Sequence, residues 1–224
     1  METNTNSRNI YDILEEEIMN SDLSLKEKNE RLSRLLRVRG KKVNIIFVGA
    51  TGSGKSSTIN ALFNMDVAKV GVGVAPETDG IKSYVLDNLT IWDTPGLGDG
   101  IKADERYNRM ITHKLSELDE NGEPQIDLVL VVLDASSRDL GTSYDLINNV
   151  IIPCLGGDKE GRILIGLNQA DVAMKGKHWD AGKNEPDEEL LKFLRAKADS
   201  VSQRICEATG VKVQPVYYCA GYKE

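Results

Sequence analysis

The run Gly49-Ala50-Thr51-Gly52-Ser53-Gly54-Lys55-Ser56 follows the apolar stretch VNIIFV at 43–48. Glycines at this spacing let a backbone wrap an anion with its N–H groups turned inward. A lysine and a hydroxyl residue opening the next helix add an ammonium for the β- and γ-phosphates and an oxygen for Mg²⁺. The helix contributes its positive end. The pattern is GxxxxGK[ST], in the strand–turn–helix context that it requires. It predicts a nucleotide-phosphate site formed by Gly49, Gly52, Ser53, Gly54, Lys55, Ser56 and Ser57. The competing reading is a plain glycine turn.

Two further signals follow. Trp92-Asp93-Thr94-Pro95-Gly96 ends a second apolar strand. A strand-end carboxylate such as Asp93 suits a Mg²⁺ site, and the Gly96 N–H of a DxxG turn can sense a γ-phosphate. Thr78 lies between these motifs, just before the strand predicted at 80–86, where a switch threonine would supply a metal ligand. Ser56, Thr78 and Asp93 are therefore the predicted metal ligands, and Lys55, Thr78 and Gly96 the catalytic candidates.

The base is read from Asn168-Gln169-Ala170-Asp171, after the apolar run RILIGL. Guanine presents two donors, N1–H and the exocyclic amino group, which one carboxylate accepts together. Adenine has no such pair and would leave a desolvated Asp171 unmatched, a penalty of ~1–3 kcal/mol or more. Asn168 can donate to guanine N7 and brace the phosphate loop. Gln169 stands where a lysine stem would cover the ring, so guanine selectivity is expected with weaker affinity. In Cys219-Ala220-Gly221 a backbone N–H can meet guanine O6. An ATP-using enzyme is disfavoured by Asn168 and Asp171.

These residues need a scaffold. Continuous apolar runs at 43–48, 126–133 and 162–167 suit parallel strands covered on both faces. Residues 80–86 and 89–93, separated by Asp87-Asn88, read as a hairpin, and 213–218 as the last strand. Helices are predicted at 55–64, 102–119, 139–152 and 187–208. The alternation implies a doubly wound α/β/α three-layer fold, with a six-stranded, mostly parallel sheet and one antiparallel edge strand. Apolar residues from Tyr11 to Leu35 recur at helical intervals, with a break at Asn20-Ser21-Asp22 and Ser21 or Asp22 as the cap. This gives a helical extension over 1–40 and a nucleotide-binding domain over 41–224. The chain stops soon after its last strand. Either a final helix is missing, or the helices at 10–37 cover that surface; their apolar stripe is expected to pack on the domain, with a partner-binding arm as the alternative.

The 224 residues carry 35 acidic and 28 basic side chains, a net charge of −7, which argues against a general nucleic-acid binder. Three cysteines without CxxC spacing and two histidines assemble no zinc signature and read as reduced thiols of a cytoplasmic protein. No apolar run reaches the ~20 residues that span a bilayer.

Taken together and in this order, these motifs resemble a TRAFAC-class GTPase domain of the broad Era, septin and Toc group. The run GATGSGKSSTINALFN, with DTPGLGDG, NQAD and HWD after it, is most similar to the bacterial Era-like GTPases of the YfjP/YeeP type, in which NQAD is itself usual. The resemblance covers residues 41–222. It implies GTP/GDP and Mg²⁺ binding, GTP hydrolysis, a switch cycle and an effector or activator protein that the sequence does not name. Leu97 occupies the place of the water-orienting Gln of Ras-type enzymes, so slow intrinsic turnover is implied, raised by a partner or by a homodimer across the nucleotide face. A GTP-binding scaffold with negligible hydrolysis is the alternative. Asp99, Lys102, Arg106 and Arg138 are further polar candidates near the site, each more simply a solvated charge.

Overall fold

In the computed structural model, residues 10–63, 80–86, 88–98 and 100–221 are described. Strands β1 (Val43–Val48), β2 (Lys82–Leu86), β3 (Leu89–Asp93), β4 (Leu128–Asp134), β5 (Ile163–Asn168), β6 (Trp179–Asp180), β7 (Glu185–Pro186) and β8 (Val216–Tyr217) form two sheets. The main sheet has the order β2-β3-β1-β4-β5-β8, and β6 and β7 pair separately. Among the described residues, only the β2–β3 hairpin within the main sheet is antiparallel. The predicted α/β/α architecture is therefore the observed one.

The burial pattern shows why. Along β1, Ile46 and Val48 enter one apolar cluster while Phe47 enters another. Along β4, Val129, Val131 and Leu133 alternate in the same way with Leu130 and Val132. Successive strand side chains point to opposite faces, so a run apolar at every position needs helices on both. Helix α3 (Lys55–Phe63) brings Ile59 to one face. Helix α4 (Ile101–Ser116) and α7 (Glu188–Thr209) cover the other, α7 through Leu190, Leu194, Val201 and Ile205. Asp187 caps α7 by accepting from the Glu189 and Leu190 N–H groups at 3.0 and 2.9 Å.

Some boundaries differ from expectation. The last strand shrinks to Val216–Tyr217, because Pro215 has no N–H to give a ladder. Helix α4 stops at Ser116, where the chain turns into a bridge between Leu118 and Pro124. The helix expected at 139–152 is α5 (Gly141–Leu146), a π-turn (Ile147–Ile151) and a short α6 (Ile152–Cys154) that runs past the expected end. The β6–β7 hairpin was not signalled, since two-residue strands are too short for periodicity to show.

At the N-terminus, α1 (Ile10–Asn20) and α2 (Leu25–Val38) form a helical hairpin. The cap of α2 is Ser24, not Ser21 or Asp22, because Ser24 and Glu27 close a reciprocal capping box. Ser21 instead donates to the Ile18 carbonyl at 2.7 Å. The apolar stripe is only partly buried: Tyr11 is buried, but Leu14 and Leu25 are 38% and 76% exposed. No helix among the described residues is long and apolar enough to cross a membrane.

Candidate functional site

The C-terminal ends of β1, β3, β5 and β8 converge on one edge, where the strand order reverses about β1, the usual ligand crevice of an open α/β sheet. The loop from Gly49 to Gly54 leaves β1 there, and α3 begins at Lys55. Gly54 has φ +90°, and a Cβ on it would collide with the Asn168 carboxamide, so the glycine allows the base-side strand to approach the loop. Gly96 is equally constrained: a Cβ there would strike Thr51.

Lys55 is 7% exposed, and its Nζ donates to the Gly49 and Ala50 carbonyls, both at 3.1 Å. Burial lowers the ammonium's pKa, opposed by the nearby Asp93 charge. The Ser56 hydroxyl donates to Asp93 Oδ2 at 3.1 Å. Asp93 Oδ1 is buried with no hydrogen-bond partner among the described residues. Burial raises the Asp93 carboxyl above its ordinary value, against the Ser56 hydrogen bond and the Lys55 and Lys82 charges. A hydroxyl and an orphaned carboxylate oxygen side by side are hard oxygen donors. Mg²⁺ is held by one or two such groups together with substrate phosphates, so the residues present fit that ion.

A carboxyl with a raised folded-state pKa binds its proton more tightly folded than unfolded. Its stabilising contribution is present below the unfolded value and is lost as pH rises through the folded one. Asp93→Asn removes the buried charge. We expect the nucleotide-free variant to melt higher than the wild type at neutral pH, with this part of the pH dependence flattened, while Mg²⁺ no longer tightens nucleotide binding. Thermal melts across pH, with and without Mg²⁺-GDP, check both halves.

The base side is tied to the phosphate side by β5. Asn168 is 2% exposed; its Nδ2 donates to the Ser53 carbonyl at 3.0 Å, and its Oδ1 accepts from the Ala220 N–H at 3.0 Å. The bracing role predicted for Asn168 is therefore present. Among the three residues from which a backbone donor to guanine O6 is expected, Cys219-Ala220-Gly221, the Ala220 N–H is engaged by Asn168. Gln169 adopts φ 63°, and its Nε2 donates to the Gly52 carbonyl at 2.6 Å. Whatever it does for the ring, Gln169 ties the two loops together. Asp171 is half-exposed in the 3-10 segment Ala170–Gly176, which is kinked at Ala173, Met174 and Lys175, and has no hydrogen bond to its carboxylate among the described residues. Cys219, which forms no disulfide, is half-exposed beside these groups.

Thr78 and Asp99 lie outside the described residues. Lys102, Arg106 and Arg138 are exposed. Leu97 is 2% exposed and packs into the core below the loop. Its backbone reaches the phosphate loop: Leu97 N–H donates to the Gly49 carbonyl at 3.3 Å, and the Leu97 carbonyl accepts from Thr51 N–H at 2.7 Å.

Two tyrosines missed in the sequence hold this geometry. Tyr107 on α4 accepts from Gly49 N–H at 3.3 Å and meets the Thr94 hydroxyl at 3.0 Å, which donates to the Phe47 carbonyl at 2.7 Å. Burial pushes the Tyr107 hydroxyl up to about 12. Tyr218 reaches Thr58 on α3 at 2.9 Å, while the Ala170 N–H donates to its carbonyl at 3.2 Å. Tyr107 shared a helical apolar stripe and Tyr218 an apolar strand, and periodicity does not distinguish a packing ring from one whose hydroxyl matters. Tyr107→Phe leaves the Gly49 N–H unpaired; we expect a loss of about 2 kcal/mol and a fall in Tm of roughly 4–8 °C, read by a thermal melt.

Residues 44–169 match the 50S ribosome-binding GTPase family, more than half of the chain. The chain belongs to this GTPase family. Among its relatives in Escherichia coli (strain K12) are YfjP, 30% identical over 129 residues, and YkfA, 28% identical over 162 residues. These alignments cover 56% and 71% of the chain, and 41% and 48% of the relatives, so the chain spans about half the length of the curated relatives it matches. Its fold is shared with Toc33 of Arabidopsis thaliana in complex with Mg²⁺ and GMPPNP, a stand-in for GTP. That likeness has a TM-score of 0.55 at 17% identity, covering 92% of the GTPase-family chain and 82% of Toc33.

Proposed function

We propose that the chain binds GTP with Mg²⁺ and hydrolyses it slowly to GDP and phosphate, as a switch. The observation that carries this reading is Asn168, which joins Ser53 of the phosphate loop to Ala220 of the last loop and leaves Asp171 open beside them. One carboxylate in that position accepts both donors of guanine. Lys55 neutralises the β- and γ-phosphates, and the loop N–H groups orient them. Ser56 and Asp93, with Thr78 as the switch ligand, would hold Mg²⁺, which supplies charge neutralisation on the phosphates. Gly96 senses the γ-phosphate through its N–H. Membership of the GTPase family supports the nucleotide class.

A second reading is favoured by Leu97: with its side chain in the core, it cannot orient water, so a GTP-binding assembly module with negligible turnover is the runner-up. A homodimer across the nucleotide face is a third element of the proposal, supported by Toc33, for which dimerization is important for GTPase activity. Phosphate release from GTP, ATP and XTP under multiple-turnover conditions with Mg²⁺ separates these readings. Release from GTP that rises more than linearly with protein concentration supports the enzyme and its dimer. Binding of GTP without phosphate at any protein concentration leaves the assembly module.

A further inference from the structure

Beyond the ties made by Asn168 and Gln169, the base side and the phosphate side meet through a side chain that neither motif contains. Tyr218 stands between β8 and Cys219-Ala220-Gly221. Its backbone is fixed on both sides: its N–H donates to the Leu167 carbonyl at 2.9 Å, and its carbonyl accepts from the Ala170 N–H at 3.2 Å. Its ring lies against β5 at Gly166, where a Cβ would come within 2.8 Å of a ring carbon. The hydroxyl then reaches across to α3, where it lies 2.9 Å from the hydroxyl of the buried Thr58.

Thr58 settles the direction of this hydrogen bond. A threonine hydroxyl has one hydrogen and two lone pairs. Thr58 gives that hydrogen to the Gly54 carbonyl at 2.8 Å, so Tyr218 is the donor to Thr58. Burial raises the Tyr218 pKa, opposed by the Thr58 hydrogen bond, and the phenol keeps its proton for this role. The result is a chain from the Tyr218 hydroxyl through the Thr58 hydroxyl to the Gly54 carbonyl, and hydrogen bonds in series polarise one another. The Thr58 N–H donates to the same carbonyl at 2.8 Å, so that oxygen is held twice from within α3.

The Gly54 carbonyl shares its planar peptide with the Lys55 N–H, and in a trans peptide the two point in opposite directions. With the carbonyl drawn along α3, the Lys55 N–H aims out of the first turn, among the donors that have no partner within a helix. That end of the helix faces an anion in the phosphate loop. Gly54 does little to hold this peptide by itself: its φ is +90°, and it has no Cβ to restrict it.

We propose that Tyr218 is a positioning residue for nucleotide binding: through Thr58, its hydroxyl holds the Gly54–Lys55 peptide with the Lys55 N–H turned toward the β-phosphate. This role presupposes the nucleotide site proposed above. Because Tyr218 immediately precedes Cys219-Ala220-Gly221, a base that orders that loop also steadies the phosphate side along the same chain of hydroxyls.

Competition against a fluorescent guanine nucleotide tests the role by comparing GDP with GMP, which lacks the β-phosphate. Tyr218→Phe keeps the ring against Gly166 and removes only the hydroxyl. Its affinity for GDP is expected to fall about 3- to 10-fold, the worth of one net hydrogen bond, with affinity for GMP as in the wild type. Thr58→Val should show the same selective loss, and Thr58→Ser, which keeps the hydroxyl, should bind as the wild type does. Tyr218→Phe combined with Thr58→Val should be no weaker than Thr58→Val alone, because the two hydroxyls act as one chain. Thermal melts verify folding. If Thr58→Val does not fold, nitrogen-edited NMR spectra of Tyr218→Phe with Mg²⁺-GDP take its place: the Lys55 amide resonance is expected to move from its wild-type position. Equal losses for GDP and GMP, an unchanged affinity for GDP, a Thr58→Ser variant as weak as Thr58→Val, additive losses in the double variant, or an unmoved Lys55 resonance would each overturn the role of Tyr218 and leave the nucleotide site standing. A wild type that binds neither nucleotide overturns both.

Discussion

Asp171→Asn should lower GTP affinity by about 3 kcal/mol or more, at least roughly 100-fold, while raising affinity for xanthosine triphosphate. The half-exposed carboxylate has no competing hydrogen bond among the described residues and is free to accept both guanine donors. An Asn in its place offers one acceptor and one donor, which leaves a guanine donor facing an amide N–H. Xanthine replaces the exocyclic amino group with a carbonyl, and the same amide then matches it. Because Asp171 sits on a short 3-10 turn whose neighbours Ala170 and Ala173 are buried, the substitution leaves the packing intact. Fluorescent-nucleotide titration with competing GTP, XTP and ATP measures the change. Selectivity for GTP that survives in the variant would remove Asp171 as the reader of the base.

Lys55→Ala should be severe for binding and gentle for the fold. Removing one member of a buried, hydrogen-bonded charge pair costs 2–5 kcal/mol or more, so affinity for GTP and GDP should fall by roughly 30- to 5000-fold. In the nucleotide-free chain, the same ammonium is buried against two backbone carbonyls with its pKa depressed by burial. A buried cation weakens rather than supports a folded chain, and its loss should leave the apo Tm unchanged or higher. Isothermal titration and a thermal melt of the same sample separate the two effects. A variant that fails to bind because it is unfolded would show in the second measurement.

Much of this was visible in the chain itself. β1, β4 and β5 announced themselves because strands covered on both faces are apolar at every position, and the phosphate loop because its backbone conformation tolerates few residues besides glycine. Asn168 was readable as a brace for the same reason: a carboxamide at a strand end has few other uses. The hydrogen bond from the Ala220 N–H to Asn168 was not legible, because a backbone donor carries no side-chain signature and its partner depends on how closely two loops approach. Tyr107 and Tyr218 were hidden in apolar patterns that fit packing equally well. Ser24 was overlooked for an earlier polar cluster, although the Glu three residues on completes its cap. The β6–β7 hairpin and the π-turn depend on tertiary packing, which a local pattern does not contain.

The backbone bridge between Leu97 and Thr51 has a consequence for how a ligand enters. Thr51 has one amide hydrogen, and here it belongs to the Leu97 carbonyl at 2.7 Å. While that rung is closed, an incoming anion meets a carbonyl oxygen where it needs a donor. A phosphate oxygen brought against Thr51 would therefore compete with the chain's own carbonyl for that hydrogen. A ligand shifts a conformational equilibrium only by the difference in its affinity for the two states. The turn that follows Gly96 therefore moves only for a ligand that outbids this one hydrogen bond, and is left zipped by one that does not touch it.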